Sequence, residues 1–226
     1  MFLLGLDIGT TGAKALLCDE HGKVLATTTA EYPLYSPFPL WSEQDPADWW
    51  RGAREALRAV VAQAGDPKQI AGLGLTGQMH GAVFLDAQGD VIRPALLWND
   101  QRTAAECDEI TRRVGAARLI EIAGNPALTG FQAPKILWLR NHEPENYARV
   151  AQVLLPKDYI RLKLTGARAA DAADAAGTLL LDLRARGWSD EILAALQIPR
   201  AWLPHVYEGP EVTGALLPEA AAELGL

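Results

Sequence analysis

Short apolar runs alternate with glycine or acidic breaks through the first thirty residues, and Phe2 to Ile8, Ala13 to Asp19 and Val24 to Glu31 each read as a strand. Glu20-His21-Gly22 between the last two predicts a hairpin turn. Pro33, Pro37 and Pro39 then remove backbone donors across Tyr32 to Gln44, which predicts a long loop. Asp45-Pro46 supplies an N-cap followed by proline at the first helical position. From there the spacing is that of a helix, with Trp49, Trp50, Ala53, Leu57, Val60, Val61 and Ala64 on one face.

Gly65-Asp66-Pro67 ends that helix, and Ile70 to Leu75 reads as a buried strand delivering Thr76 to Gly81 at its carboxyl end. Ala82 to Leu85 and Val91-Ile92 flank a turn at Asp86 to Gly89, and Pro94 to Leu97 leads into a polar tip, Trp98-Asn99-Asp100. From Thr103 the pattern is mostly helical. Ala133 to Leu139, Tyr159 to Leu164 and Asp190 to Leu196 are shorter helices, and a strand is expected at Val150 to Leu155. Strands alternating with helices after an opening meander predict an α/β fold with a mixed sheet, and no internal repeat is visible.

The 226 residues carry 21 Lys+Arg against 28 Asp+Glu, a formal charge of −7. The basic residues are scattered singly among acids, so a phosphate-backbone footprint is missing and a nucleic-acid partner is not expected. Hydrophobic residues make up 49% and charged ones 22%, enough apolar content for a true core and too much for disorder. No apolar run reaches the roughly 18 residues of a membrane span, and Phe2 to Leu6 lacks the basic flank of a secretory signal, so the expected location is the cytoplasm with no membrane partner. Cys18 and Cys107 form no CxxC, and Cys18 is expected to pack as a small hydrophobe. His21, His80, His142 and His205 show no ligand spacing, so no protein-built transition-metal site is expected.

Glycine patterns carry the candidate chemistry. Gly72, Gly74 and Gly77 satisfy GxGxxG, but such a turn must open a helix that holds the pyrophosphate, whereas Gly81 to Leu85 reads as another strand. Asp7-Ile8-Gly9-Thr10-Thr11-Gly12-Ala13-Lys14 is more informative. A strand ending on an acid runs into a turn in which two glycines flank two hydroxyls, a form that binds phosphate oxygens through turn amides while the carboxylate holds Mg²⁺. Spacing alone leaves an ordinary hairpin with a polar turn equally open.

DIGTTGAK resembles the phosphate loop of the FGGY carbohydrate kinases, members of the actin-like ATPase superfamily. Six further stretches follow in that family's order and are similar to its xylulokinase branch. They are LWSEQDPADWW at Leu40 to Trp50, GQMHG at Gly77 to Gly81, LLWNDQR at Leu96 to Arg102, LLPKDY at Leu154 to Tyr159, DAAGT at Asp174 to Thr178 and EVTGALLPE at Glu211 to Glu219. The resemblance implies an actin-like, ribonuclease H-like domain with a mixed sheet, a β-meander start and flanking helices. It implies an ATP- and Mg²⁺-dependent kinase acting on the 5-hydroxyl of the ketose D-xylulose, with another ketose or polyol such as ribulose, gluconate or glycerol, or a non-catalytic sugar-binding domain, as alternatives. A homodimer is compatible with it.

By the same resemblance Asp7 is the catalytic and metal-holding carboxylate, while Gly9, Thr10, Thr11, Gly12 and Lys14 face the phosphates. Gln78, Met79, His80, Trp98, Asn99 and Asp100 line the sugar pocket. A neutral imidazole offers a donor and an acceptor to hydroxyls, and Met79 supplies an adaptable apolar wall. His80 as a core histidine and Trp98 as a core residue are the bland alternatives. Lys135 and Lys157 are expected to be solvated, and Trp41, Trp49 and Trp50 to be core and loop support. The second domain, with a GGGDN-type segment carrying the general-base Asp, does not occur in the 226 residues, so residues 1–226 are read as an N-terminal sugar-binding domain that does not catalyse alone. Asp171 and Asp174 take no assigned role, and Ala173 stands where relatives often have Ser.

Overall fold

A computed structural model describes residues 1–226. The first thirty residues form β1 (Phe2–Ile8), β2 (Gly12–Asp19) and β3 (Val24–Glu31), an antiparallel meander. The turn between β2 and β3 closes because the Asp19 carboxylate accepts from the His21 and Lys23 amides, and Gly22 supplies a φ of 80°. After the proline loop come β4 (Glu43–Gln44) and α1 (Pro46–Val61), the helix starting where Asp45 accepts from the Ala47 amide ahead of Pro46. β5 (Ile70–Gly77) then runs parallel to β1, giving the sheet order β3-β2-β1-β5.

Alternation decides which face is buried. Leu4, Leu6 and Ile8 of β1, with Ala13, Ala15 and Leu17 of β2, pack on Trp49, Ala53, Leu57 and Val60 of α1. The opposite face carries Leu3, Gly5 and Asp7 with their register partners Leu16 and Lys14 on β2 and Gly72, Gly74 and Thr76 on β5. Asp7 therefore lies at the carboxyl end of β1 with Lys14 and Thr76 on either side.

The remaining chain builds a second apolar cluster and also packs back onto the first, to which Val83, Leu85, Leu154, Ile160 and Leu224 belong. In order it forms β6 (Val83–Leu85), β7 (Ala95–Leu96), α2 (Ala104–Val114), α3 (Ala116–Ala123), α4 (Gln132–His142), α5 (Pro144–Arg149), β8 (Gln152–Leu154) and α6 (Pro156–Thr165). β9 (Ala169–Asp171), α7 (Ala172–Ala176), β10 (Leu181–Asp182), β11 (Gly187–Trp188), α8 (Asp190–Leu196), β12 (His205–Tyr207) and α9 (Pro218–Leu224) complete it. Four two-stranded ladders, β4-β7, β6-β8, β9-β12 and β10-β11, stitch the loops together. No helix is long and apolar enough to cross a membrane.

The expected mixed-sheet α/β class is the observed one, and the differences are local. α6 begins at Pro156 because a first-turn proline costs no hydrogen bond and has its φ already set. β5 continues through Thr76 and Gly77, since both still pair with Asp7 and Ile8. Val91-Ile92 contributes a single bridge, Leu85 to Val91.

Candidate functional site

Three segments meet at the carboxyl ends of β1 and β5: the hairpin Gly9 to Gly12, the loop Gln78 to Gly81, and the tip Trp98 to Asp100. The hairpin is closed by the Gly9 amide donating to the Gly12 carbonyl at 3.1 Å. Gly12 is required sterically, because a Cβ there would stand 2.8 Å from the Ala30 carbonyl oxygen. Three successive carbonyls of this turn are bound by donors of the protein. Gly9 O accepts from the Tyr32 hydroxyl at 2.6 Å and from Gln78 Nε2 at 3.4 Å, Thr10 O from Gln44 Nε2 at 2.7 Å, and Thr11 O from the Tyr32 amide at 3.3 Å.

Asp7 forms no ion pair, and Lys14 beside it is exposed. The Asp7 charge also acts on Tyr32, whose phenol is pushed well above the usual tyrosine range by burial and by that carboxylate. An uncompensated carboxylate beside a turn of free amides fits a hydrated divalent cation that accompanies phosphate oxygens.

His80 sits in the left-handed region, at φ 68°, a conformation that costs energy unless the surroundings hold it. Two contacts hold it. Its Nδ1 lies 2.7 Å from the Gly177 carbonyl oxygen, and its own carbonyl accepts from Lys135 Nζ at 3.2 Å. A carbonyl only accepts, so Nδ1 of the neutral ring carries the proton and Nε2 remains as an acceptor. Gly177 is bare by necessity, since a Cβ there would overlap the imidazole. The ring of Phe131 meets the imidazole edge-on at 5.2 Å.

Lys135 and Lys157 correct the expectation of solvated lysines. Lys135 has no exposed surface, and its ammonium donates to the carbonyls of His80, Gly130 and Phe131, the last at 2.8 Å. Burial brings it down to about 7 against the nearby Asp100 charge. Lys157, also buried, lies 2.8, 2.7 and 2.9 Å from carboxylate oxygens of Asp158, Asp171 and Asp174. Burial opposes its charge, but those carboxylates outweigh burial and raise it above the usual lysine range. Asp171 and Asp174 are thereby tied up: Asp171 also caps α7 by accepting from the Asp174 amide at 3.0 Å.

The tip divides into an exposed and a buried part. Trp98 is 47% exposed and its indole N–H donates to the Thr10 hydroxyl at 3.0 Å, so it is a cleft residue joined to the hairpin and not core. Met79 is exposed, and the buried side-chain oxygens of Asn99 and Gln78 have no partner within the chain. Asp100 departs from the expected sugar contact. It is fully buried, with both oxygens engaged by the Ser42 amide and by Arg102 at 2.6 to 3.1 Å. Arg102 in turn lies 3.5 Å over the Trp41 ring and 4.7 Å over that of Trp138, so Trp41 supports the tip as expected.

Contacts therefore run from Thr10 through Trp98 to Gly130, Lys135, His80 and Gly177. The bare Cα of Gly130 abuts the Trp98 carbonyl. Gln44, Phe131, Lys135 and Gly177 were not singled out from the sequence as site residues. Each acts through a partner 34 or more residues away or through the backbone, and only the DAAGT and WSEQDP stretches marked their neighbourhoods. A hollow of about 770 Å³ lies elsewhere, along the open edge of β5 against residues 209–216 and Leu226.

The model of the FGGY family of carbohydrate kinases, N-terminal domain, matches residues 2–226. The xylulose kinase of Escherichia coli strain K12 is 48% identical over 223 residues, covering 99% of this chain and 46% of that protein. The crystal structure of a xyloylose kinase from Brucella ovis is 44% identical with a TM-score of 0.93, covering 97% of this chain and 46% of that one. A xylulose kinase structure from Rhodospirillum rubrum is 33% identical with a TM-score of 0.96, covering 100% and 46%. The chain thus spans about half the length of the curated relatives it matches. A family model that matches residues 2–226, on a fold shared with solved relatives at up to 44% identity, makes this chain a member of the FGGY carbohydrate kinases.

Proposed function

We propose that these 226 residues form the N-terminal, sugar-binding domain of an ATP-dependent kinase that transfers a phosphoryl group to the terminal 5-hydroxyl of D-xylulose. The observation that carries the reading is the Trp98–Thr10 hydrogen bond, which holds the sugar wall and the phosphate hairpin in one cleft. The family and the xylulose kinases at up to 48% identity support the substrate class.

In this reading the His80 Nε2 accepts from a sugar hydroxyl, with Asn99 and Gln78 in the wall beside it. Met79 and Trp98 cover the carbon chain. Thr10 and Thr11 amides bind the oxygens of the transferring group, and Lys14 adds positive charge at the rim. Asp7 holds Mg²⁺ through water, and the metal when bound supplies charge against the phosphate oxygens. Phosphoryl transfer depends on alignment and electrostatic stabilisation more than on covalent chemistry by the protein, so a rigid union of the two walls is the functional requirement. The general base and the nucleotide pocket lie outside these residues, and the domain alone does not turn over.

With the nucleotide-binding half restored, ADP release should depend on D-xylulose over ribulose, xylose and glycerol. His80→Ala should raise the sugar KM by on the order of tenfold with a smaller change in kcat, as loss of ground-state binding does. Equal turnover with glycerol, or turnover without any sugar, would refute the substrate assignment.

A further inference from the structure

Gln44 is buried with no exposed surface, on a two-residue strand pinned to Ala95–Leu96 and directly before the cap of α1. All four of its hydrogen-bonding positions are filled. Its Oε1 accepts from Trp49 Nε1 and from Gln78 Nε2, both at 2.9 Å, and its Nε2 donates to Thr10 O at 2.7 Å and Pro33 O at 3.1 Å. An indole only donates and a carbonyl only accepts, so these partners fix which end of the carboxamide faces the hairpin.

The peptide bond supplies the consequence. Each unit is trans and planar, so a carbonyl drawn toward the protein sends the next residue's N–H the opposite way. With Gly9 O held by Tyr32 and Gln78, the Thr10 N–H turns outward; with Thr10 O held by Gln44, the Thr11 N–H turns outward. Neither amide has an acceptor within the chain. Two adjacent outward amides form a concavity for anionic oxygen. Through Gln78, the same carboxamide grips the loop that carries His80.

We propose that Gln44 is a positioning residue for phosphoryl transfer: it turns the hairpin amides of Thr10 and Thr11 toward the phosphate oxygens and locks that hairpin to the sugar loop. The proposal rests on the reading of residues 9–12 as the phosphate hairpin. It adds a residue that touches neither substrate, and whose effect is on the orientation of groups that do.

The test is a titration of the ¹⁵N-labelled 226-residue chain with magnesium tripolyphosphate, followed at the Thr10 and Thr11 amides, in wild type and in Gln44→Glu. Glutamate keeps the acceptor that serves Trp49 and Gln78 but sets an oxygen against the carbonyls of Thr10 and Pro33. The wild-type amides should shift saturably. In Gln44→Glu the Trp49 indole signal should persist while tripolyphosphate affinity falls by about tenfold or more, with a smaller loss of D-xylulose affinity. A folded Gln44→Glu chain that binds tripolyphosphate as wild type does overturns the role of Gln44 and leaves the hairpin reading intact. Wild-type amides that never move overturn both. If Gln44→Glu does not fold, the wild-type Gln44 carboxamide signals decide: they should shift together with Thr10 and Thr11, and signals that stay fixed while those amides move overturn the proposal.

Discussion

At the scale of single residues, the cleft is set by groups whose partners lie far away in sequence. Gly177 is the sharpest case, because its missing side chain is the space the His80 ring occupies. Gly177→Ala should displace the imidazole and weaken D-xylulose binding by on the order of tenfold or more while the fold persists, a result that calorimetric titration would register. Unchanged affinity would remove Gly177 from the site. Lys135 gives a pH signature. Its folded value of about 7 lies below the 10.5 of an ordinary lysine, so between those values the unfolded chain binds more protons than the folded one. Stability from this group therefore rises with pH across that window, by at most about 1.4 kcal/mol per pH unit. Denaturant unfolding of wild type and Lys135→Met at pH 6.5 and 9 should show the difference moving in favour of wild type at the higher pH. A difference independent of pH would contradict the buried, proton-shedding lysine. Neither residue's role was legible in the sequence: a lysine near a helix start usually reaches water, and only the converging carbonyls of His80, Gly130 and Phe131 make burial tolerable here.

At the scale of elements, legibility follows how local the determinants are. β1 to β3 and α1 were readable because the apolar runs with their glycine and acidic breaks, the Asp19 turn and the Asp45-Pro46 start are written within a few residues of each structure they create. The two-residue strands β4 and β7 were not, since their pairing is fixed by tertiary neighbours and not by propensity. The Asp45 cap makes a clean element-level test. Asp45→Ala should cost about 1 kcal/mol of stability, read by denaturant unfolding, because one first-turn amide loses its acceptor. A neutral substitution would mean that Pro46 and the docking of Trp49 hold the helix start without the cap. The tip shows the opposite behaviour. The sequence places Trp98, Asn99 and Asp100 alike in the pocket, yet the Asp100 carboxylate is spent on Ser42 and Arg102, and Trp98 is the exposed member of the tip.

At the scale of the molecule, two apolar clusters meet across β6, β7 and β8, whose successive residues belong to one and then the other, while hairpin, loop and tip converge at the carboxyl ends of β1 and β5. The arrangement presents one wall of a cleft in which the hairpin and the tip are already joined through Trp98 and Thr10. The claim that this wall is a sugar site is tested most directly by a thermal-shift titration of the 226-residue chain with D-xylulose, against ribulose, xylose and glycerol. A ligand at 100 times its Kd contributes about 2.7 kcal/mol, a shift of several degrees for a domain of this size. The account predicts a saturable shift with D-xylulose, smaller shifts with the other three, and a D-xylulose shift cut to about half in His80→Ala at the same sugar concentration. Equal shifts with all four compounds, or a D-xylulose shift undiminished in His80→Ala, would contradict it.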